Sequence, residues 1–322
     1  MCRIAVATGN IAGKPDFIAG LRALELEGGG DGNGVWFSEH NAIIKGVNLP
    51  VDFVSGYLNN IGEEELGNGV VVFHTRISSA GKDINEHNHP FRVGESAVLV
   101  HNGTWSEAGK YALDEVSDTQ VIAELYRKYG KGVFAAQSLD RSGVFVVVER
   151  LPDKIVTEIF HTMSGERLGV AIKDGGFVAM SGTKQPARYG ATDVSQIVSG
   201  RYSYLHIETA RGHSKLSVIE MDDEEFQAAI IVDTHLQQLV GEANAGATTK
   251  TKEMIGQFVL AANAIQPTME AFEGNTGKYE SWMEELRNLS PDACALCPYN
   301  SSTICNENMC PVYAEAAGQL PY

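Results

Sequence analysis

The chain opens MCRIAVATGN (1–10), and the rest of its organisation can be read outward from that stretch. RIAVAT (3–8) is a short strand-forming run. It follows a cysteine that stands far from the other four, Cys294, Cys297, Cys305 and Cys310. Removal of Met1 would place the Cys2 thiol and a free α-amine on one residue. Such an amine titrates at about 7.7–8.0, well below lysine at about 10.4. A useful fraction is therefore neutral near pH 7 and can accept the thiol proton, directly or through one water. A nucleophile at a chain terminus requires only this pairing of sulfur and base. The competing reading of Cys2 is an inert buried thiol.

At 322 residues the chain can form one large domain, or one domain with an appendage. Its composition, 43% hydrophobic and 20% charged, is that of an ordinary soluble globular protein. The 25 basic against 41 acidic residues give a net charge of −16, which repels phosphate backbones and speaks against a nucleic-acid partner. No apolar run approaches the roughly 18 residues of a membrane span. The first residues also lack the basic and apolar regions of a secretory signal. Four clustered cysteines point to a reducing, cytoplasmic setting and a metal site rather than a disulfide scaffold.

Strand-like runs recur through about residue 220: GVVVFHTR (69–76), SAVLVHNG (96–103), GVFVVVE (143–149), KIVTEIF (154–160), LGVAIK (168–173) and GFVAMSG (176–182). Asp174-Gly175-Gly176 between the last two is a hairpin signal, and YSYLHIE (202–208) with KLSVIEM (215–221) reads as another hairpin. Helices interrupt them. Pro15 suits the first position of a helix running to about Leu26. Ser117 or Asp118 suits the start of TQVIAELYRKYG, with Val121, Ile122, Leu125 and Tyr126 on one face. After Met221 the pattern turns helical, broken by NAGATTKTK (244–252), with further helical segments at about 253–273 and 278–289. The mixture predicts sheets covered by helices.

Four short segments lie at ends of predicted strands and helices: FHTRISSAG (73–81), NEHNHPF (85–91), VHNGTW (100–105) and SDTQVI (117–122). Behind Cys2 and in this order, they resemble the glutaminase domain of class II glutamine amidotransferases, members of the N-terminal-nucleophile (Ntn) hydrolases. GDGNGVWF (30–37) is similar to the Gly/Asp-rich turn that precedes that family's second strand. The resemblance covers about residues 2–220. It implies an α+β fold, the four-layer αββα sandwich of Ntn hydrolases. With the change of pattern after Met221 and the cysteine cluster from Ser290, the chain divides into a glutaminase domain (2–220), a helical extension (221–289) and a four-cysteine tail (290–322).

By the same resemblance, Cys2 is the nucleophile attacking the side-chain amide of L-glutamine, and its own amine is the general base and later acid. The Asn102 side chain and the Gly103 N–H form the oxyanion hole, and a Cβ at Gly103 is expected to crowd the substrate. Arg76 holds the substrate α-carboxylate in a charge-assisted fork. Asp118 pairs with its ammonium, and Ser79 stands where the family has a threonine hydroxyl near the carboxylate. Duller readings exist for each: Arg76 as a surface ion-pair residue, Asp118 as a helix N-cap, Asn102-Gly103 as a turn. His74, His89 and His101 read as structural hydrogen-bonding residues, and the His87-x-His89 spacing lacks a suitable third ligand. The chain departs from the family pattern at Ile77-Ser78-Ser79-Ala80 and in a shorter stretch between Gly103 and Asp118.

The family passes ammonia to a second active site, and no fingerprint of one is present here: there is no phosphate-cradling loop. The expected partner is therefore an ammonia-accepting synthetase or other amide-forming enzyme on another chain. An Ntn amidohydrolase of different amide or γ-glutamyl specificity, or a non-catalytic metal-stapled scaffold subunit, remain alternative readings. CALCPYNSSTICNENMCPVY has the spacing C-x2-C-x7-C-x4-C. Four thiolates from Cys294, Cys297, Cys305 and Cys310 complete a tetrahedral shell for structural zinc. An iron–sulfur cluster is the alternative, since Pro298 and Pro311 each follow a cysteine. Elemental analysis and the visible spectrum of fresh anaerobic protein distinguish the two: one colourless zinc per chain is the expected result.

Overall fold

Alternation in the first strand sets the layering. In the computed structural model, which describes residues 2–28, 30–47, 49–77, 87–105, 117–162, 167–182, 184–198 and 202–244, β1 (Arg3–Thr8) turns Ile4 and Val6 to one side and Ala5 and Ala7 to the other. Both sides are fully buried, so the strand must lie inside a stack rather than at a surface.

The chain continues through α1 (Gly9–Ala12), α2 (Pro15–Gly28), β2 (Gly32–Phe37), β3 (Ala42–Gly46), α3 (Val51–Leu66) and β4 (Val70–Arg76). Then come β5 (Phe91–Gly94), β6 (Ala97–Gly103), α4 (Asp118–Tyr129), two 3-10 turns at Gly130–Ala135 and Gln137–Leu139, β7 (Gly143–Arg150) and β8 (Ile155–His161). The last described part holds β9 (Leu168–Lys173), β10 (Gly176–Ser181), α5 (Lys184–Ala187), β11 (Thr192–Asp193), α6 (Val194–Ile197), β12 (Ser203–Ala210), β13 (His213–Glu220) and α7 (Asp223–Asn244).

Two antiparallel sheets result, a seven-stranded one ordered β11-β9-β10-β1-β4-β2-β3 and a six-stranded one ordered β13-β12-β8-β7-β6-β5. Their facing sides share one core, with Ile4, Val6, Trp36 and Val72 from the first sheet against Val98, Val100, Val146 and Leu205 from the second. The outer side of the first sheet, including Ala5, Val35, Phe73 and Met180, packs on Phe17, Leu21, Leu24, Val54 and Leu58 of α2 and α3. The outer side of the second, including Leu99, Phe145 and Phe160, packs on Ile122 of α4 and on Val232 and Leu236 of α7. The layers therefore run helix, sheet, sheet, helix: a mixed α+β architecture with the αββα order.

Local chemistry explains several boundaries. Pro15 opens α2, as its spacing predicts. Asp174 and Gly175 both take positive φ (52° and 81°) in the β9–β10 hairpin, the turn that Asp-Gly favours. α4 is capped by Ser117, whose hydroxyl accepts from Gln120 N–H while Gln120 returns a bond to Ser117 N–H. The expected turn at 30–37 is largely strand: Gly32 and Gly34 lie within β2. They are small because another segment presses on them, since a Cβ at Gly34 would stand 1.8 Å from the His89 carbonyl oxygen.

α7 lies beyond the domain boundary expected at 220, and its Ala229, Val232 and Leu236 are buried against the second sheet's helical layer. Asp233 fixes it in place by accepting from Gln137 N–H at 2.7 Å and Ser138 N–H at 2.8 Å. The further helical segments and the four-cysteine tail lie outside the described residues. No helix among the described residues is long and apolar enough to cross a membrane.

Candidate functional site

β1 and β4 pair with Arg3 opposite Thr75 and Ile4 opposite His74, which places Cys2 level with Arg76 where β1 begins and β4 ends. The half-buried Cys2 thiol lies against one peptide of the strand beyond. Ile77 N–H donates to Sγ at 3.4 Å, and the thiol donates to the Ile77 carbonyl at 3.5 Å. Burial pushes the Cys2 thiol above its ordinary value. The Ile77 N–H works against that, the Asp118 carboxylate adds to it, and Arg76 opposes it. The thiol is thus protonated at neutral pH, with the Asp118 carboxylate and the Arg76 guanidinium both in electrostatic reach.

The second sheet brings Asn102 and Gly103 to the same end. Val98, Val100 and Asn102 alternate toward the first sheet, and the Asn102 amide donates to Ser181 Oγ at 3.4 Å. Ser181, at the end of β10, also accepts from Ile4 N–H at 2.9 Å. One hydroxyl therefore ties the Asn102 side chain to the strand that carries Cys2. Ser181 was not singled out by the sequence, where the only signal is a polar residue closing an apolar run. Gly103 has φ of 152°, and a Cβ there would stand 1.9 Å from the Ser142 carbonyl oxygen. The tightest demand for glycine is therefore internal to the β6–β7 pair, rather than the substrate approach the sequence suggests.

Asp118 is the first helical residue of α4, and Ser117 takes the capping role, so the N-cap reading of Asp118 does not apply. One Asp118 carboxylate oxygen accepts from Trp105 N–H at 2.9 Å, and the other accepts from Thr119 N–H at 2.8 Å. A carboxylate has about four acceptor positions, so capacity remains for a further donor. Arg76 is buried, 4% exposed, which sets aside its reading as a surface ion-pair residue. Ser79 lies outside the described residues, as do Cys294, Cys297, Cys305 and Cys310. Among the described residues no group of three or more His, Cys, Asp or Glu could hold a metal ion.

Three buried histidines brace this end. β5 stops at Phe91, opposite Leu99, and leaves the edge of β6 at His101 without a strand neighbour on that side. Side chains complete it. His74 Nε2 lies 3.0 Å from the His101 carbonyl, and His101 N–H donates to His89 Nδ1 at 3.2 Å. Facing a carbonyl, His74 Nε2 must carry its proton; receiving an N–H, His89 Nδ1 must lack one. Their rings lie with centroids 3.8 Å apart. Burial depresses both, with neighbouring positive groups adding to the effect, and His74 falls to about 3. The His101 ring stacks on Phe145, with Nε2 2.9 Å from the Ser142 carbonyl and Nδ1 2.9 Å from Thr119 Oγ1. Through Thr119, the start of α4 is tied to the strand that ends in Asn102-Gly103.

No protein-family model matches the chain, and no curated protein matches it. Among solved structures, the chain is similar to the glutamine phosphoribosylpyrophosphate (PRPP) amidotransferase from B. subtilis complexed with ADP and GMP. The two share 20% identity with a TM-score of 0.46, over 69% of this chain and 50% of the other. The chain thus spans about half the length of that protein.

The histidine bracket has a consequence for stability. His74 is neutral in the fold, with its pKa lowered from 6.5 to about 3. Its contribution is fully present above pH 6.5 and is lost as pH falls from there toward 3, because only the unfolded chain binds the proton. Chemical denaturation between pH 7 and 5 is expected to show stability falling with pH. His74→Gln keeps an N–H for the His101 carbonyl but cannot titrate, so its profile should be shallower, by up to about 1.4 kcal/mol per pH unit. Superimposable slopes for the two proteins would contradict a neutral buried His74.

Proposed function

We propose that the chain is a glutaminase of the class II glutamine amidotransferase kind, built on the Ntn-hydrolase fold. It hydrolyses L-glutamine to glutamate and ammonia through a γ-glutamyl thioester on Cys2. The observation that supports this reading is the convergence of Cys2, Arg76, Asn102-Gly103 and Asp118 from two sheets and a helix onto one end of the sandwich.

A thiol held protonated by burial needs a base beside it. In a mature chain beginning at Cys2, that base is the residue's own α-amine, which takes the thiol proton as sulfur attacks the glutamine side-chain carbonyl carbon. Charge developing on the carbonyl oxygen is met by the Asn102 amide and the Gly103 N–H. The amine then returns its proton to the departing nitrogen, the C–N bond breaks, and ammonia leaves a thioester on Cys2. Water, deprotonated by the same amine, attacks that thioester and releases glutamate. Arg76 and Asp118 supply one fixed cation and one fixed anion, which match the α-carboxylate and α-ammonium of a free amino acid and select it from simple amides. Ser79 adds a hydroxyl on the carboxylate side.

Ammonia passes to an amide-forming enzyme on a separate chain in the cytoplasm. Cys294, Cys297, Cys305 and Cys310 hold a structural zinc that staples the tail or docks that partner, and four thiolates leave the metal no open position for catalysis.

Two outcomes test the chemistry. Cys2→Ser is expected to abolish glutamine hydrolysis while preserving the circular-dichroism spectrum, and mass spectrometry should find active wild-type protein beginning at Cys2. Activity above a few per cent in the variant, or a competent enzyme still carrying Met1, would defeat the thioester route. Arg76→Ala should raise the glutamine KM roughly 10- to 100-fold, the range of a charged hydrogen bond, with a smaller effect on kcat. An unchanged KM with collapsed kcat would assign Arg76 a different job.

A further inference from the structure

Asn88 stands out among the buried polar side chains. It is fully buried, and neither its Oδ1 nor its Nδ2 has a hydrogen-bond partner among the described residues. Buried amides without partners are rare, because the water they lose is not replaced. Nothing else about the segment is loose. The Asn88 carbonyl accepts from Lys45 Nζ at 2.8 Å, and the following residue, His89, packs on His74 and takes the His101 N–H. The side-chain amide has no such partner among the described residues.

Its position is defined by a glycine. A Cβ on Gly32 would lie 2.3 Å from Asn88 Oδ1 and 2.6 Å from Nδ2, so the amide fills the space a side chain at position 32 would take. Gly32 pairs directly with Arg76 in the β2–β4 ladder. The even-numbered positions of both strands, represented by Trp36, Val70 and Val72, face the opposing sheet. Asn88 therefore meets β2 beside the position from which the Arg76 side chain leaves the same face, at the strand ends where Cys2 and Asn102 also stand.

We propose that Asn88 is a substrate-binding residue whose Nδ2 donates a hydrogen bond to the α-carboxylate held by Arg76. This rests on the reading of the site as a pocket for free glutamine. Arg76 supplies the charge; Asn88 adds a directional donor from the turn before β5 and narrows the pocket to a planar carboxylate. The buried Nδ2 gains in the complex the partner it lacks without it.

Calorimetric titration of L-glutamine into the full-length Cys2→Ala protein, which binds without turnover, tests this directly. Adding Asn88→Ala should weaken glutamine binding about tenfold or more while leaving the weaker binding of glutamine α-amide, which has no carboxylate, unchanged. Asn88→Asp keeps the shape and sets a carboxylate against the ligand's own, so it should weaken glutamine binding further still. Thermal unfolding of the Asn88→Ala protein should stay close to that of the parent, since no side-chain hydrogen bond among the described residues is removed. Equal glutamine affinities with and without Asn88→Asp would overturn the proposal. So would equal losses for glutamine and its α-amide. If glutamine binds in an Asn88-dependent way but wild-type protein does not hydrolyse it, the binding role stands and the glutaminase reading fails. If no glutamine binds to the Cys2→Ala protein, both fall.

Discussion

The pairing of β1 between β4 and β10 is the constraint on which the site depends. A strand at the chain's beginning lies in the middle of a seven-stranded sheet, with Ile4 and Val6 buried against the opposing sheet and Ala5 and Ala7 against helices. A one-residue slip would exchange these sets and put isoleucine and valine where only alanines fit. Because that register is held from both faces, Cys2 arrives level with Arg76 and in contact with the Ile77 peptide. The placement of the thiol follows from core packing two to five residues away, and needs no separate device.

The second sheet must then be held at a fixed distance from the first at this one end. Neutral histidines do this work. Both backbone groups of His101 are met by side chains, His74 from the first sheet and His89 from the turn before β5. Charged groups at these positions would bring uncompensated cations beside Arg76. Burial prevents that by keeping the imidazoles neutral. The arrangement leaves Arg76 and Asp118 as opposite charges around the thiol, in surroundings where their influence is weakly screened.

Close backbone approach supplies the rest of the geometry. Gly103 and Gly143 face one another across β6 and β7, and a side chain at Gly103 would strike the Ser142 carbonyl. Gly32 and Gly34 admit the Asn88–His89 turn onto β2, which brings the HNHPF stretch (87–91) down between the sheet ends. The sequence marks both places with glycines and with nothing that says what approaches them.

Read alone, the chain declares most of its longer strands and the helices α2, α4 and α7, because alternation in RIAVAT, GVVVFHTR and GVFVVVE and the capping pattern at Ser117 are local properties of the residues. It also offers candidates for the chemistry, Cys2, Arg76, Asn102-Gly103 and Asp118, through short segments. α3, the short strands β3 and β5, and the role of Ser181 escape such a reading. A four- or five-residue strand is stabilised by its neighbours, and a serine becomes a tether only when Ile4 and Asn102 are brought to it. Whether Asp118 caps a helix or presents a carboxylate was likewise decided by the fold, since Ser117 takes the cap and Trp105 N–H turns the carboxylate toward the site. Residue type is written in the chain one position at a time. Which of those residues meet depends on strand register and on two sheets packing face to face, and those contacts span up to 177 positions of sequence.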